Sequence, residues 1–291
     1  MQLETIDWAI IVGTFMVTFA IGLYSVKRAG SGTTEFFLSG RNMPWWLLGV
    51  SMVATTFSAD TPNLVTDIVR KNGVAGNWVW WAFLLTGMLT VFVYARLWRR
   101  SGALTDIEFY ELRYSGRSAA FLRGFRALYL GFFFNVIIMA AVSLAAIKIG
   151  SIMLGLSPLH SLIWASTITV AVAALGGLRA VLHSDLFLFT LAMVGAIAAA
   201  VFALRAPEIG GIESLLSAPA LQGSLSFFPH LERAPDGTFT TTSIDLFVSL
   251  LVIPLAVQWW SVWYPSAEPG GGGYIAQRML AAKDEKNARA A

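Results

Sequence analysis

Cysteine is absent from this 291-residue chain, so the protein forms neither disulfide bonds nor thiolate metal sites. Charged residues are also scarce, because Asp, Glu, Lys and Arg make up 13% of the chain while hydrophobic residues make up 56%. One soluble core of this length does not bury so much apolar side chain. The composition therefore predicts an all-α integral membrane protein whose main solvent is the lipid bilayer.

Catalytic signatures are lacking as well. The sequence contains no nucleophile elbow, metal-ligand cluster or phosphate-binding loop, so we expect neither an enzyme nor a cofactor. The net charge of +3 reports membrane orientation first, and we expect no nucleic-acid partner. Glu4 and Asp7 stand before the first hydrophobic stretch, in place of the basic head of a secretory signal.

Seven hydrophobic stretches approach the roughly 20 residues that a helix needs to cross a bilayer. They are Trp8–Val26, Pro44–Val69, Trp78–Ala95, Ala127–Ile147, Leu159–Leu175, Leu186–Leu204 and Leu246–Tyr264. We therefore expect about seven transmembrane helices. An odd number of crossings places the two ends of the chain on opposite sides of the membrane.

Basic residues set the predicted orientation. If the N-terminus lies outside, 15 of the 20 Lys and Arg residues fall in cytoplasmic segments, as the positive-inside rule requires. They are Lys27, Arg28, Arg41, Arg96, Arg99, Arg100, Arg113, Arg117, Arg123, Arg126, Arg179, Arg278, Lys283, Lys286 and Arg289. We predict a multi-pass protein of the plasma (cell inner) membrane with its C-terminal end in the cytoplasm.

Two connections interrupt the apolar pattern. Residues 205–242 predict a long outer loop that holds at most short surface helices. Residues 265–291 predict a cytoplasmic segment, in which four glycines from Gly270 onward end the last apolar helix and a basic, helix-prone stretch follows. Neither connection has the length of a separate domain, so we expect one membrane domain over residues 1–291.

The second hydrophobic stretch is rich in polar residues near its middle, and a proline follows them. Such a cluster favours an unwound helix whose free carbonyls face a cation, although a proline kink with hydroxyls bonded back to the helix explains it too. Asp60 favours the functional interpretation, because a carboxylate at membrane depth is costly.

A second polar signal lies between the fifth and sixth stretches. Gly176 and Gly177 predict a tight cytoplasmic turn, after which Ser184 and Asp185 begin the next helix. Asp185 is a candidate cation ligand, or a residue that the helix dipole stabilises at a helix start. Asn135 and Gln258 are candidate solute contacts or interhelical hydrogen-bonding groups.

Aromatic residues concentrate in the third and seventh stretches. Rings at a membrane surface commonly belong to an interfacial belt. Trp80 and Trp259 are alternatively walls of a binding cavity, since a flat apolar ring suits the weakly apolar face of a sugar.

Four motifs together resemble the sodium/solute symporters. They are Glu35–Arg41 followed by Pro44, Trp45 and Trp46; Ser51–Asp60; Gly176–Asp185; and Gln277–Lys283. The resemblance implies two inverted five-helix repeats preceded by one extra helix. Residues 8–26 would be the extra helix, 44–204 the first repeat and 246–264 the first helix of the second repeat. The chain then looks truncated after that helix, and its partner would be the missing C-terminal half of the transporter.

The same resemblance implies a coupling ion and a set of ligands. Sodium would bind the carbonyls of Ala54 and Phe57, and Asp185 with Ser184 beside it would serve a second sodium site. Candidate solute contacts, which combine the resemblance with the polar and aromatic residues above, are Thr56, Asp60, Thr61, Trp80, Asn135, Gln258 and Trp259. The family usually has Gln at position 188, where this chain has Leu188, and sugar-transporting members tend to have Asn at 56 and Gln at 61.

The resemblance therefore implies sodium-coupled symport of a small polar organic solute, with a sugar or sugar-like compound as one candidate. A membrane-embedded sensor or interaction module is the alternative from another functional class. An inactive fragment of a symporter is a third.

Overall fold

The computed structural model describes residues 3–58, 60–260 and 270–291, without the side chain of Asp60. The described part of the chain is mostly helical and contains no strand, only two isolated bridges. We number the helices α1 Thr5–Ala29, α2 Thr33–Leu38, α3 Trp45–Thr56, α4 Asp60–Asn72, α5 Val74–Ser101, α6 Glu108–Arg113, α7 Gly116–Leu154, α8 Pro158–Leu204, α9 Ile212–Ser217, α10 Thr241–Ala256, α11 Gly273–Ala281 and α12 Glu285–Ala290. The predicted all-α class is confirmed for these residues.

Four of these helices, α1, α5, α7 and α8, are long and apolar enough to cross a membrane. Of two shorter apolar helices, α3 lies within the second predicted stretch and α10 overlaps the first half of the seventh. Helices α5, α7 and α10 each contain a wider π-helical stretch, at Thr90–Tyr94, Ala127–Phe134 and Val248–Val252. The exact number of seven crossings stays a prediction.

Helix α8 contains both the fifth and the sixth predicted stretches. Its 47 residues would extend about 70 Å if straight, far more than the roughly 30 Å of a bilayer core. The helix is broken at Gly177, whose φ of 56° and ψ of −159° are not helical. A Cβ there would lie 2.6 Å from the carbonyl oxygen of Phe36, so glycine suits both the conformation and the close approach. The predicted glycine turn is thus a break between two helical halves.

The chain divides into two compact units, and the first contains the described residues of 1–60, 90–190 and 263–291. Its core is formed where α11 and α12 pack on α2, α3 and the end of α5. Leu38, Leu48, Leu182 and Leu280 are completely buried there. The C-terminal segment, predicted as a polar cytoplasmic stretch, therefore contributes one apolar face to a core.

Polar contacts hold the C-terminal segment in this unit. Met43 donates its amide to Ala281 and accepts from the amide of Lys283, at 3.1 and 3.0 Å. The guanidinium of Arg100 donates to both carboxylate oxygens of Glu285, and these hydrogen bonds lower the pKa of that carboxyl. These contacts join the end of α5 to the last two helices.

The second unit contains residues 61–89 and 191–262, and in the later range the structure describes residues 191–260. Within it, the predicted outer loop of residues 205–242 contains the short helix α9 and covers the start of α5. Trp78 stacks on Phe228 with ring centroids 5.5 Å apart, and its indole donates to the carbonyl of Phe227 at 3.0 Å. The expectation of short surface helices in this loop is confirmed. The single-domain assignment for the whole chain remains a prediction.

Candidate functional site

The second predicted membrane stretch is a broken helix. Helix α3 ends at Thr56, Phe57 has extended backbone angles of −92° and 93°, and α4 begins at Asp60. The amide of Phe57 still donates to the carbonyls of Val53 and Ala54, at 3.1 and 3.2 Å. A carbonyl oxygen has two lone pairs, so Ala54 can still accept from a second partner, and the extended backbone at Phe57 takes its own carbonyl out of the helical pattern. This break therefore offers oxygen ligands at Ala54 and Phe57. The helix unwinding that the polar cluster predicts is confirmed.

Helix α8 runs beside α3 at this level. Asp185 accepts a hydrogen bond from the hydroxyl of Ser51, one and a half turns before the break. Further along both helices, the rings of Phe57 and Phe189 meet edge to face with centroids 5.9 Å apart. Because residue numbers rise together along the two contacts, α3 and the second half of α8 run parallel. The structure therefore brings the predicted ligands Phe57 and Asp185 to neighbouring helices.

Asp185 also has a cationic partner that the sequence analysis did not assign. The guanidinium of Arg278 lies 3.5 Å from the carboxylate, and their side chains are only 5% and 19% exposed. Arg278 donates in addition to the hydroxyls of Ser51 and Thr55, at 3.2 and 3.0 Å. A buried charge needs a partner of opposite sign and satisfied hydrogen bonds, and these contacts provide them.

Arg278 itself lies on α11, near the C-terminal end of the described chain. The ring of Tyr274, one turn earlier, stands 5.7 Å from the guanidinium carbon. Sequence reasoning treated Arg278 as one more basic cytoplasmic residue. Two signals in the sequence point to Arg278. Asp185 is an ionisable group near a membrane and therefore needs a partner of opposite charge, and Arg278 lies within one of the four motifs.

The hydroxyl of Ser184 faces a space other than the one in which the neighbouring Asp185 binds Ser51. Its hydroxyl is buried and has no hydrogen-bond partner among the described residues. It lines a cavity of about 250 Å³ between α1 and the two halves of α8, and Asp185, Thr14 and Thr18 line the same cavity. An unpaired buried hydroxyl beside a carboxylate is a fitting neighbour for a cation or a water molecule.

The predicted solute contacts fall into both units. In the first, the hydroxyl of Thr56 bonds back to the carbonyl of Val53 at 2.9 Å, as the alternative reading of the polar cluster describes. Asn135 lines a cavity of about 270 Å³ together with Thr55 and Tyr274. The side chain of Asp60 lies outside the described residues.

In the second unit lie Thr61, Trp80, Gln258 and Trp259. The carbonyl of Trp259 accepts a hydrogen bond from the hydroxyl of Thr86, which ties α5 to the end of the apolar segment after α10. The rings of Trp259 and Trp260 meet edge to face at 5.2 Å. Trp80 lies on α5 together with Trp78, whose indole contacts the predicted outer loop. The role of each as a solute contact stays a prediction.

Comparison with known proteins bears directly on this arrangement. A model of the sodium:solute symporter family matches residues 36–291, which include the helix break, Asp185 and Arg278. The chain belongs to this family. The resemblance inferred from the four motifs is thereby confirmed.

Among the relatives of this symporter-family chain is sodium/glucose cotransporter 1 of Oryctolagus cuniculus, 29% identical over 209 residues. A sodium/mannose cotransporter of Bos taurus is 27% identical over 220 residues. The matches cover 72% and 75% of this chain but 31% and 36% of those proteins. The chain thus spans about a third of the length of these relatives.

A solved structure resembles the fold over nearly the whole chain. It is a Na⁺-coupled sialic acid symporter in a substrate-bound, outward-open state, with a TM-score of 0.77 and 18% sequence identity. The similarity covers 99% of this symporter-family chain and 56% of the solved one. At this identity the likeness establishes a symporter fold and leaves the solute open.

Proposed function

We propose that this chain takes part in sodium-coupled symport of a small polar organic solute across the plasma membrane. The observation that carries the proposal is the position of a largely buried carboxylate, Asp185, on a helix packed beside the break in α3. Broken helices supply carbonyl ligands for coupling ions in transporters, and a carboxylate adds the charge that attracts a cation. Family membership supports the same function.

Sodium would draw its ligands from two places. The carbonyls of Ala54 and Phe57 lie at the helix break, while Asp185 and Ser184 lie at the cavity beside α1. These groups are oxygen donors, the ligand type that hard cations such as Na⁺ prefer. In this proposal the two places are separate sodium sites, as the family resemblance implies.

The solute would contact Thr56, Asp60, Thr61, Trp80, Asn135, Gln258 and Trp259. The sugar cotransporters among the relatives support a sugar-like class, whereas Thr56 and Thr61 differ from the residues typical of sugar transport. An outside N-terminus and a cytoplasmic C-terminal segment complete the proposal, and the distribution of basic residues supports them. Sodium would favour one conformation of the carrier and thereby drive solute uptake.

Sodium-dependent thermal stability tests the proposal. The unfolding midpoint of the purified protein should rise as sodium chloride replaces choline chloride at constant ionic strength, because a ligand that binds only the folded state stabilises it. Asp185→Asn should remove the part of the rise that comes from the sodium site at Asp185. Asp67→Asn is a matched control, since Asp67 pairs with Arg70 and Lys71 on an exposed helix surface. Equal midpoints in sodium and choline for the unaltered chain would refute sodium coupling.

A further inference from the structure

The single carboxylate of Asp185 has two candidate cationic partners, the guanidinium of Arg278 and the proposed sodium ion. The guanidinium of Arg278 lies beside that carboxylate, at 3.5 Å. The proposed coupling ion is drawn to the same oxygens. Two cations that share one carboxylate compete for it, since each reduces the charge that attracts the other.

Burial makes this competition strong. The Arg278 side chain is 5% exposed and donates to Ser51, Thr55 and Asp185, so water contributes little to the neutralisation of the charges. A buried carboxylate that loses its cation is costly to the folded state. Each departure of sodium from Asp185 would therefore need a replacement cation close by.

Helix α11 holds the guanidinium of Arg278 beside Asp185, where it can replace sodium. Leu280 on the same helix is completely buried, and Ala281 accepts a hydrogen bond from the amide of Met43. The helix is thus anchored in the core independently of the ion pair. The guanidinium is a cation at a defined position, tethered to the C-terminal segment.

We propose that Arg278 is a built-in counter-ion that neutralises Asp185 when sodium is absent and is displaced when sodium binds. The inference rests on the proposed sodium-coupled function and adds Arg278 to it as a positioning residue. Sodium entry moves the guanidinium off the carboxylate, and sodium release lets it return. The empty carrier then never holds Asp185 as an unpaired buried charge.

The proposal has a quantitative consequence for sodium affinity. The apparent affinity of a site that is open only part of the time falls by the open fraction. If Asp185 is free of Arg278 in one molecule out of ten, removing the arginine lowers the half-saturating sodium concentration about tenfold. An arginine that merely shaped the site would have the opposite effect when removed.

Sodium titrations of three variants test this inference, read as the rise in unfolding midpoint against sodium concentration. Arg278→Gln should lower the half-saturating sodium concentration severalfold. Arg278→Lys should lower it less, because an ammonium keeps the charge but lacks the planar fork that donates to several groups. If Arg278→Gln does not fold, Arg278→Lys alone still tests the direction of the shift.

Arg99→Gln is the matched control for loss of a positive charge. Arg99 also holds the C-terminal segment, because its guanidinium donates to the carbonyls of Ala282 and Lys283, at 2.6 and 3.3 Å, instead of to Asp185. Its removal should leave the sodium titration unchanged. An equal shift in Arg99→Gln and Arg278→Gln would overturn the proposal in favour of a general charge effect.

The remaining outcomes separate this inference from the proposed function. An unchanged or weakened sodium affinity in Arg278→Gln, with normal sodium stabilisation of the unaltered chain, overturns the counter-ion role only. An absence of sodium stabilisation in the unaltered chain overturns the proposed function, and the counter-ion role with it.

Discussion

The guanidinium of Arg278 lies 3.5 Å from the carboxylate of Asp185, although 93 positions of the chain separate them. The pair joins the start of the second half of α8 to α11, and Ser51 of α3 bonds to both members. Three segments that are distant in sequence therefore meet at one charged centre.

Loss of Arg278 should destabilise the protein strongly in the absence of sodium. Arg278→Gln leaves a largely buried carboxylate without its cation, which should lower the free energy of unfolding by about 3 kcal/mol. The double variant Arg278→Gln/Asp185→Asn removes both charges, so its loss should be smaller by at least about 1 kcal/mol. Unfolding in choline buffer followed by circular dichroism measures both. Additive losses would show that the pair contributes no coupling energy.

A side chain at Gly177 should disrupt the break in α8. Gly177→Ala places a Cβ 2.6 Å from the carbonyl oxygen of Phe36 at a φ of 56°, and a clash with backbone is not relieved by rotating a side chain. We expect a loss of about 2 kcal/mol in the free energy of unfolding.

Gly195→Ala provides the control within the same helix. Nothing lies within 4 Å of a Cβ at Gly195, and its φ is helical. Alanine is the better helix former, so this variant should be neutral or more stable by about 0.5 kcal/mol. Equal thermal midpoints for the two alanine variants would contradict the role assigned to Gly177.

The absence of cysteine allows a direct test of orientation. Gln222→Cys lies in the predicted outer loop and Lys286→Cys lies on α12, and both positions are exposed. A membrane-impermeant thiol reagent added to intact cells should label the first variant and not the second, as the positive-inside rule predicts. Labelling of both after cell lysis is the control for accessibility. The reverse pattern would invert every inner and outer assignment.

The outer loop should depend on Trp78 for its order. Trp78→Leu removes the stack on Phe228 and the hydrogen bond to the carbonyl of Phe227, so the loop should open more often. Trypsin should then cleave after the exposed Arg233 several times faster than in the unaltered protein. Trp164→Leu is the control, because Trp164 is 61% exposed on α8 and lies outside the second unit, to which the loop belongs. Unchanged cleavage in Trp78→Leu would show that other contacts hold the loop.

The two glycine signals show how far sequence reasoning reaches within a local segment. Gly176 and Gly177 predict a turn, and the structure has a break at that place because a positive φ is a property of a few neighbouring residues. The clustered polar residues before Pro62 likewise predict the end of α3. Both features depend on the backbone over fewer than about ten residues, which is the range of turn and proline effects.

The partners of Asp185 were beyond that range. Ser51 and Arg278 come from α3 and α11, and neither type of residue is rare enough to identify a contact by its identity alone. Thr56 is the opposite case, because its partner is local. Its hydroxyl donates to the carbonyl of Val53 in the same helix, as a threonine in a helix commonly does.

The sequence by itself determined the solvent of this protein, its helical class and its family. Apolar run length, the scarcity of charge and short motifs are local properties that do not depend on how helices pack. Only the tertiary structure decided which groups face Asp185, and that α11 carries an arginine to it. The physical reason is that a buried carboxylate accepts whichever donors the packing of distant helices brings within hydrogen-bonding distance, and that packing depends on the side chains of the whole unit at once.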